Sequence, residues 1–451
     1  MLVPEIDRQL GIEVYASDTP GIGGVIRRSV EDFVVEEVLV DGSRACIDGK
    51  VEKPALNASR DRQDFLLCVL VKKNWDTFAA LKNIARQLGV KPSQLSIAGI
   101  KDAKAVTAQH ITIEHSSIEK ARGINVKDVQ ILPLGYFRDS LSPYYLFGNN
   151  FCITITEINL SAFTVEKRVA ETVKAIMALG GIPNFFGHQR FGTVRPITHL
   201  VGKALVQGDI EEAVMLFLTE PSAYEHPASR QARCQLRESC DFRQALQYFP
   251  VQLRYERLLL RHLADNPRDF IGAFRCLPDK LQALFVQAYQ SYLFNRFLSE
   301  RLRRGLALNK AEVGDYVVNV ERSGLPMVNT GRLVDECGLT EVNDAIKAGK
   351  MRVALPLVGV KQRLSQGVMG AVERQILEDE GVNVADFALT ALPVIREKGG
   401  LRSVISPVLN LKFNNLQNSR LTLEFMLLRG SYATIFLREI MKPKNPVKAG
   451  F

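Results

Sequence analysis

Within LSIAGIKDAKAVTAQHITI, residues 95–113, a single carboxylate, Asp102, stands between the cations Lys101 and Lys104. Positive neighbours keep a carboxylate ionised at neutral pH even where it is partly desolvated. An ionised carboxylate can attack an electron-poor carbon or stabilise positive charge growing on one. The same residues would also suit a plain surface turn in which the Asp accepts from nearby backbone amides. The flanks weigh against that: Leu95–Ala98 is a short β-like run that stops at Gly99, and Val106–Ile113 alternates like a strand. Asp102 is therefore expected in a strand-to-strand loop leaving a packed sheet.

A second constellation lies in GGIPNFFGHQRFG, residues 180–192, where glycines and a proline surround two adjacent aromatics and forbid a regular element. It is either a packed loop anchored by Phe185 and Phe186, or a bend that presents Asn184, Phe186, Gln189 and Arg190 together. A stacking face, an amide and a phosphate-type donor in one bend are what gripping an unstacked base requires. His188 is given no role.

The elements that must hold these loops can be read outward from them. Residues 65–99 read as strand, helix, strand: Phe65–Val71 is apolar, Asn74 or Asp76 can cap a helix to Leu88, Gly89 stops it and Pro92 prevents its return. Residues 21–40 read as a glycine turn, a strand, a short turn and a second strand, Phe33–Val40. There Phe33 alternates with Val35, as a core residue would, and Arg27 reads as an exposed strand arginine. A strand near Phe151–Ile158 and a helix near 165–179 precede the Phe-Phe loop. From about 208 to 395 the character changes to Arg-rich helices reaching about 263. An amphipathic helix over 280–304 follows, with Leu281, Leu284, Phe285, Ala288, Tyr292 and Phe297 on one side, and then short β-like runs at Tyr316–Val320 and Met351–Leu355.

At 451 residues the chain exceeds the size at which one core stops growing, so two domains are expected. Its 46% hydrophobic and 24% charged residues are those of a soluble globular protein. Neither a long apolar run nor a basic-then-apolar leader occurs, which predicts a cytoplasmic location without membrane contact. The seven cysteines form no C-x-x-C pair, the six histidines are scattered, and no P-loop or H-E-x-x-H motif is present. Neither a metal nor a nucleotide cofactor is expected. A formal charge of +9 favours a polyanionic partner. Arg230, Arg233, Arg237, Arg243, Arg254, Arg257, Arg261 and Arg268 crowd one segment, and Lys442, Lys444 and Lys448 follow RGSYATIFLREIM.

GIKDAKAVTAQ at 99–109 resembles the signature loop of the TruD family of tRNA pseudouridine synthases, whose archaeal-type members this chain is most similar to. Four further stretches fit in order: VEDFVVEE at 30–37, PNFFGHQRFG at 183–192, AYQSYLFNRFLSER at 288–301 and RGSYATIFLREIMK at 429–442. The resemblance implies an α+β fold. A pseudouridine synthase catalytic core with a mixed, largely antiparallel sheet would occupy residues 1–207 and 396–451, and an inserted family-specific α/β domain residues 208–395. GGLRSVISP would return the chain to the catalytic sheet. Asp102 would be the catalytic carboxylate and Arg27 the basic residue paired with it; Phe33, Lys101, Asn184, Phe186 and Tyr432 would contact substrate. The implied reaction isomerises uridine to pseudouridine in tRNA, at position thirteen, without a cofactor, with tRNA as the partner and the protein acting as a monomer. The other class of function is a non-catalytic RNA-binding or RNA-chaperone protein on the same fold, which loss of the acid would mark; Asp102 is present.

Overall fold

In the computed structural model, which describes residues 2–50, 55–59, 61, 63–414 and 416–451, the apolar runs become strands of one large sheet. In chain order the strands are β1 (Phe33–Leu39), β2 (Phe65–Lys73), β3 (Leu95–Ile97), β4 (Val106–Glu114), β5 (Val129–Phe137), β6 (Leu146–Ile155) and β7 (Ile182–Pro183). They continue with β8 (Tyr316–Val320), β9 (Pro326–Leu333), β10 (Met351–Leu357), β11 (Gly400–Ser403), β12 (Ile405–Ser406), β13 (Val408–Phe413) and β14 (Leu421–Leu428). The large sheet runs β13-β14-β6-β1-β4-β2-β5, with β3 paired to β4. Its one parallel pair is β1 with β4. This is the mixed, largely antiparallel sheet of an α+β fold.

Successive strand side chains point to opposite faces, so Phe33, Val35 and Glu37 share one face of β1. Register sets Ile153, Phe151 and Asn149 of β6 opposite them, and Thr107 of β4 opposite Val35. The other end of the sheet is backed by the helix Thr77–Leu88. Its Leu81, Ile84 and Ala85 pack with Leu66, Cys68 and Leu70 of β2. Of the two candidate caps, Asp76 is the one used, accepting from the Ala79 amide at 2.9 Å, and Gly89 closes the helix in the left-handed conformation at φ +70°.

Between β7 and β12 the chain makes helices from Thr198 to Arg303 and then a separate sheet of order β11-β10-β8-β9. All its pairings are antiparallel, and the helices Leu339–Lys347 and Gly367–Asp379 lie between its strands. Gly400–Ser403 belongs to this second sheet, pairing with β10, and the chain crosses back only at Ile405–Ser406, which pairs with β7. GGLRSVISP is thus divided between the second sheet and the two-stranded β7–β12 pair, and the large sheet is re-entered only with β13.

The helix Asp279–Arg303 is not amphipathic in its surroundings: from Leu281 to Glu300 no residue is exposed. Its polar residues, which in sequence look like a solvent face, bind neighbouring backbone instead. The Asn295 Nδ2 donates to the carbonyls of Leu10 and Phe186, and the Ser299 Oγ donates to that of Gly11. One continuous apolar core accordingly runs from Leu10 and Phe33 through this helix to Ile376 and Phe436. Tyr289 and Phe294 are core residues of this helix.

Candidate active site

Asp102 sits in the β3–β4 loop, as its flanks required, and three of the carbonyls around it are held. The Gln109 Nε2 donates to the Gly99 carbonyl at 3.0 Å, the Thr77 hydroxyl to that of Lys101 at 3.1 Å, and the Lys72 ammonium to that of Asp102 at 2.7 Å. A loop fixed at successive peptides by three elements holds its side chain to the tolerance catalysis demands.

The carboxylate itself is 37% exposed and accepts from the Arg27 Nη2 at 2.8 Å. Arg27 lies in no strand: its φ is +59°, a left-handed conformation that costs a non-glycine residue about 1–3 kcal/mol and collects at functional sites. That turn carries the guanidinium inward over the Phe33 ring, 4.0 Å from its centre, while Nη1 donates to the Gly450 carbonyl at 2.9 Å. Burial draws the Arg27 guanidinium below its ordinary value, and the Asp102 charge opposes the shift.

Lys101 does not partner Asp102, although they are adjacent. Its ammonium is buried and donates to Glu37 at 2.6 Å, and Glu37 also accepts from the His110 amide. Burial alone would raise the Glu37 carboxyl, but Lys101 and His110 more than offset it and hold it below its ordinary value. Lys104 is exposed. The positive charge on Asp102 therefore comes from Arg27, 75 residues away in sequence, and not from the flanking lysines. Beneath the loop, burial pulls Lys72 down to about 8, against the raising influence of Asp102 and Asp76.

These groups open onto a cleft of about 410 Å³ whose walls include Arg27, Phe33, Asp102, Asn149, Phe151 and Tyr432. Of the residues expected to contact substrate, Phe33, Lys101 and Tyr432 reach it. Asn184 does not line it: its Nδ2 donates to the Ser403 carbonyl at 2.9 Å, and its Oδ1 accepts from Arg402 at 2.7 Å. Phe186 is nine-tenths buried behind Tyr432, with ring centres 6.1 Å apart, and lies between that ring, Phe294 and the Arg402 guanidinium at 4.0 Å. The amide and aromatic of this loop thus build the wall that carries Tyr432. Gly187 allows the close approach, because a Cβ there would meet Gln189, Thr434 and the Tyr432 ring at 2.9–3.1 Å. Arg190, expected as a phosphate donor, hydrogen-bonds Ser291 at 3.0 Å. His188, given no role, is buried and within 2.8 Å of Asp7, which also accepts from Arg438 at 2.6 Å.

Lys72, Glu37, Arg402 and Asn149 were missed by sequence reasoning. Glu37 had a legible signal, since it shares the buried parity of Phe33 and Val35, where an unpaired charge is not tolerated. Asn149 lines the cleft, while its amide oxygen is buried and has no hydrogen-bond partner. Among the described residues no three His, Cys, Asp or Glu side chains are grouped to hold a metal ion, and no helix is long and apolar enough to cross a membrane.

The basic segments also divide. Arg233 is buried between Glu225 and Glu256, Arg257 donates to the Leu246 and Phe249 carbonyls, and Lys442 is buried against the Ser17 and Thr19 carbonyls. Arg254, Arg261, Lys444 and Lys448 face solvent.

Residues 9–440 match the family model described as tRNA pseudouridine synthase D (TruD). A Methanosarcina barkeri protein named probable tRNA pseudouridine synthase D is 38% identical over 447 residues, 98% of either chain. A Methanosarcina mazei protein of the same name is 37% identical over 99% of this chain and 100% of its own. A crystal structure from Methanosarcina mazei superimposes with a TM-score of 0.83 at 37% identity, covering 99% of this chain and 100% of the other. With a match over nearly its whole length, and with its carboxylate on a clamped hairpin loop above a mixed sheet, the chain belongs to the tRNA pseudouridine synthase D family.

Proposed function

We propose that the protein isomerises uridine to pseudouridine in tRNA, at position thirteen, with Asp102 as the nucleophile and no cofactor. The observation that carries this is a partly exposed carboxylate at the floor of a cleft, charge-paired to a buried arginine and fixed through the peptides around it. Breaking the bond between ribose C1′ and uracil N1 builds oxocarbenium character at C1′, which a carboxylate stabilises and then captures as a covalent ester, as in retaining glycosidases. The freed uracil turns, C5 attacks C1′ and displaces Asp102, the C5 proton leaves to solvent and N1 takes one up. Nothing is oxidised or reduced, so no redox partner is called for.

The target uridine must leave its stack before C1′ can reach Asp102. Phe33, Phe151 and Tyr432 are rings at the cleft, Phe186 supports Tyr432, and Asn184 supports Arg402 behind it. The domain division follows the same reading: residues up to 207 with those from 405 onward form the catalytic part, and the segment between forms the insertion. We take the enzyme to work as a monomer in the cytoplasm, where tRNA is met.

Asp102→Asn is isosteric and cannot act as a nucleophile. It is expected to keep tRNA affinity and lose essentially all tritium release from C5-labelled uridine. Residual activity within about tenfold of the parent, less than roughly 1.4 kcal/mol of barrier, would place the nucleophile elsewhere.

A further inference from the structure

Two guanidiniums share the Phe186 ring that supports Tyr432. Arg402 lies 4.0 Å from the ring centre and Arg190 lies 5.7 Å from it. Arg402 comes from β11 of the second sheet and Arg190 from the turn after β7, so the pair joins the two parts of the molecule. Each is anchored through some of its donors. Arg402 donates through Nε to the Asn184 carbonyl at 3.0 Å, and through Nη2 to the Asn184 Oδ1 at 2.7 Å and the Gly430 carbonyl at 2.8 Å. Arg190 donates through Nε to the Ser291 hydroxyl. Among the described residues, Nη1 of Arg402 and both Nη atoms of Arg190 have no hydrogen-bond partner, and none of the three is sealed from solvent.

No carboxylate settles this charge. Buried arginines such as Arg233, Arg301 and Arg438 face acids at 2.6–3.1 Å, whereas neither Arg190 nor Arg402 makes an ion pair among the described residues. Burial pulls Arg402 down to about 10; Tyr432 opposes the shift and the like charge of Arg190 adds to it. Burial also lowers Arg190, against Tyr432 and Glu397, and the Glu397 Oε1 accepts from Gln287 at 3.0 Å and not from Arg190. Both guanidiniums stay charged at pH 7. Two like charges held together and partly desolvated are costly unless an anion is shared between them.

Geometry and place decide which anion. Accepting from two planar guanidiniums at once takes several oxygens on one centre, which a phosphate has. Gln189, next to Arg190, and Ser431, next to the Gly430 carbonyl that holds Arg402, both line the catalytic cleft. A nucleotide in that cleft carries its backbone past the pair. We propose that Arg190 and Arg402 together receive one phosphate group at the edge of the catalytic cleft. Two sources share that chemistry: a phosphodiester of the RNA strand whose uridine enters the cleft, and free phosphate. The first rests on the tRNA reading above and the second does not.

Two variants and a set of RNA analogues test it. Arg190→Gln removes one charge and leaves the Arg402 contacts alone, and Arg190→Lys keeps the charge but loses the fork. The probes are an unmodified tRNA transcript, RNA stem-loops with a neutral methylphosphonate at each linkage beside the target uridine in turn, and inorganic phosphate. If the phosphate belongs to the RNA, Arg190→Gln binds tRNA about tenfold to a hundredfold more weakly, the span of a lost hydrogen bond to a charged group. The slope of log Kd against log salt falls by about 0.7–0.9 in that variant and keeps the parent's value in Arg190→Lys, whereas a packing role would move neither slope. One methylphosphonate then weakens the parent by a similar factor and costs Arg190→Gln less than about twofold, because the partner charge is already gone. If the phosphate is free, tRNA affinity and slope are the same in parent and variant, and broadening of the phosphorus NMR line of inorganic phosphate by the parent is lost in Arg190→Gln. Equal slopes together with no broadening by the parent overturn the proposal. Binding is read without turnover, so a parent that binds tRNA but releases no tritium would count against the catalytic reading and leave this one standing.

Discussion

Arg27 is where one residue does most for the site. Its guanidinium is shared between Asp102, the Gly450 carbonyl and the Phe33 ring, and its backbone is held in a conformation that favours glycine. Removing it takes away a charged hydrogen bond, on the order of 1.5–3 kcal/mol, from a group whose ionised form the proposed reaction needs. Arg27→Ala is expected to lower turnover at saturating tRNA by roughly ten- to a hundredfold, with tRNA affinity within about threefold of the parent. Arg27→Gly should be as inactive but melt higher than the alanine variant, since glycine accepts positive φ without strain. A melting temperature for the glycine variant at or below that of the alanine one would remove backbone strain from the account. The pairing partner was legible only through family resemblance. Local pattern made Arg27 an exposed strand residue, because two of the groups that turn it inward, Asp102 and the Gly450 carbonyl, lie 75 and 423 positions away. Asp102 was legible from its own flanks, because a hairpin loop is a local structure, whereas its partner depends on tertiary packing.

At the scale of elements, strands and helices with local signals stand where the sequence put them. Asp76 and Gly89 bound their helix by side-chain capping and a left-handed residue, both short-range effects. The long helix was read with the right span and the wrong environment, since Gln290, Asn295 and Ser299 bind backbone carbonyls of other segments and sequence does not show where those lie. The helix Gly367–Asp379 holds a similar case. Its Glu373 accepts from both the amide and the hydroxyl of Ser365 at 2.7 Å and is buried. Burial raises the carboxyl to about 7, with Asp315 adding to the rise and Ser365 opposing it. A carboxyl raised on folding binds its proton more tightly in the native state, so its stabilising contribution is full below its ordinary 4.5 and is lost as pH rises through about 7. Glu373→Gln keeps both Ser365 contacts and cannot ionise. Its stability relative to the parent should therefore climb between pH 5 and pH 8, by on the order of 3 kcal/mol. Chemical denaturation at the two pH values measures this, and a difference that does not change with pH would refute it.

Over the whole molecule, composition suggested an RNA partner without showing which arginines meet it. Half-buried Arg257 ties the helix Arg254–Asp265 to the Leu246 and Phe249 carbonyls, while Arg254 and Arg261 look outward from the same helix. Helical spacing groups the three; only the fold separates them. Neutralising Arg254 and Arg261 should flatten the dependence of log Kd on log salt by about 0.7–0.9 for each one that meets a phosphate. Arg257→Ala should leave the slope alone and cost roughly 1.5–3 kcal/mol of stability. Titrations of one tRNA at several salt concentrations distinguish them, and a slope in the double variant equal to the parent's would take this face out of the RNA interface.

The bond from Arg27 to the Gly450 carbonyl, with the Ile26 amide donating to Ala449, also sets an order in time. A ribosome that has released β1 to β6 has delivered Asp102, the cleft floor and the arginine that charges the site, yet not the backbone that turns the arginine inward. More than 400 residues must emerge first. Loop closure over such separations is slow relative to hairpin formation. In a nascent chain of this protein, Arg27 therefore meets the last of its partners only when nearly the whole chain has been made.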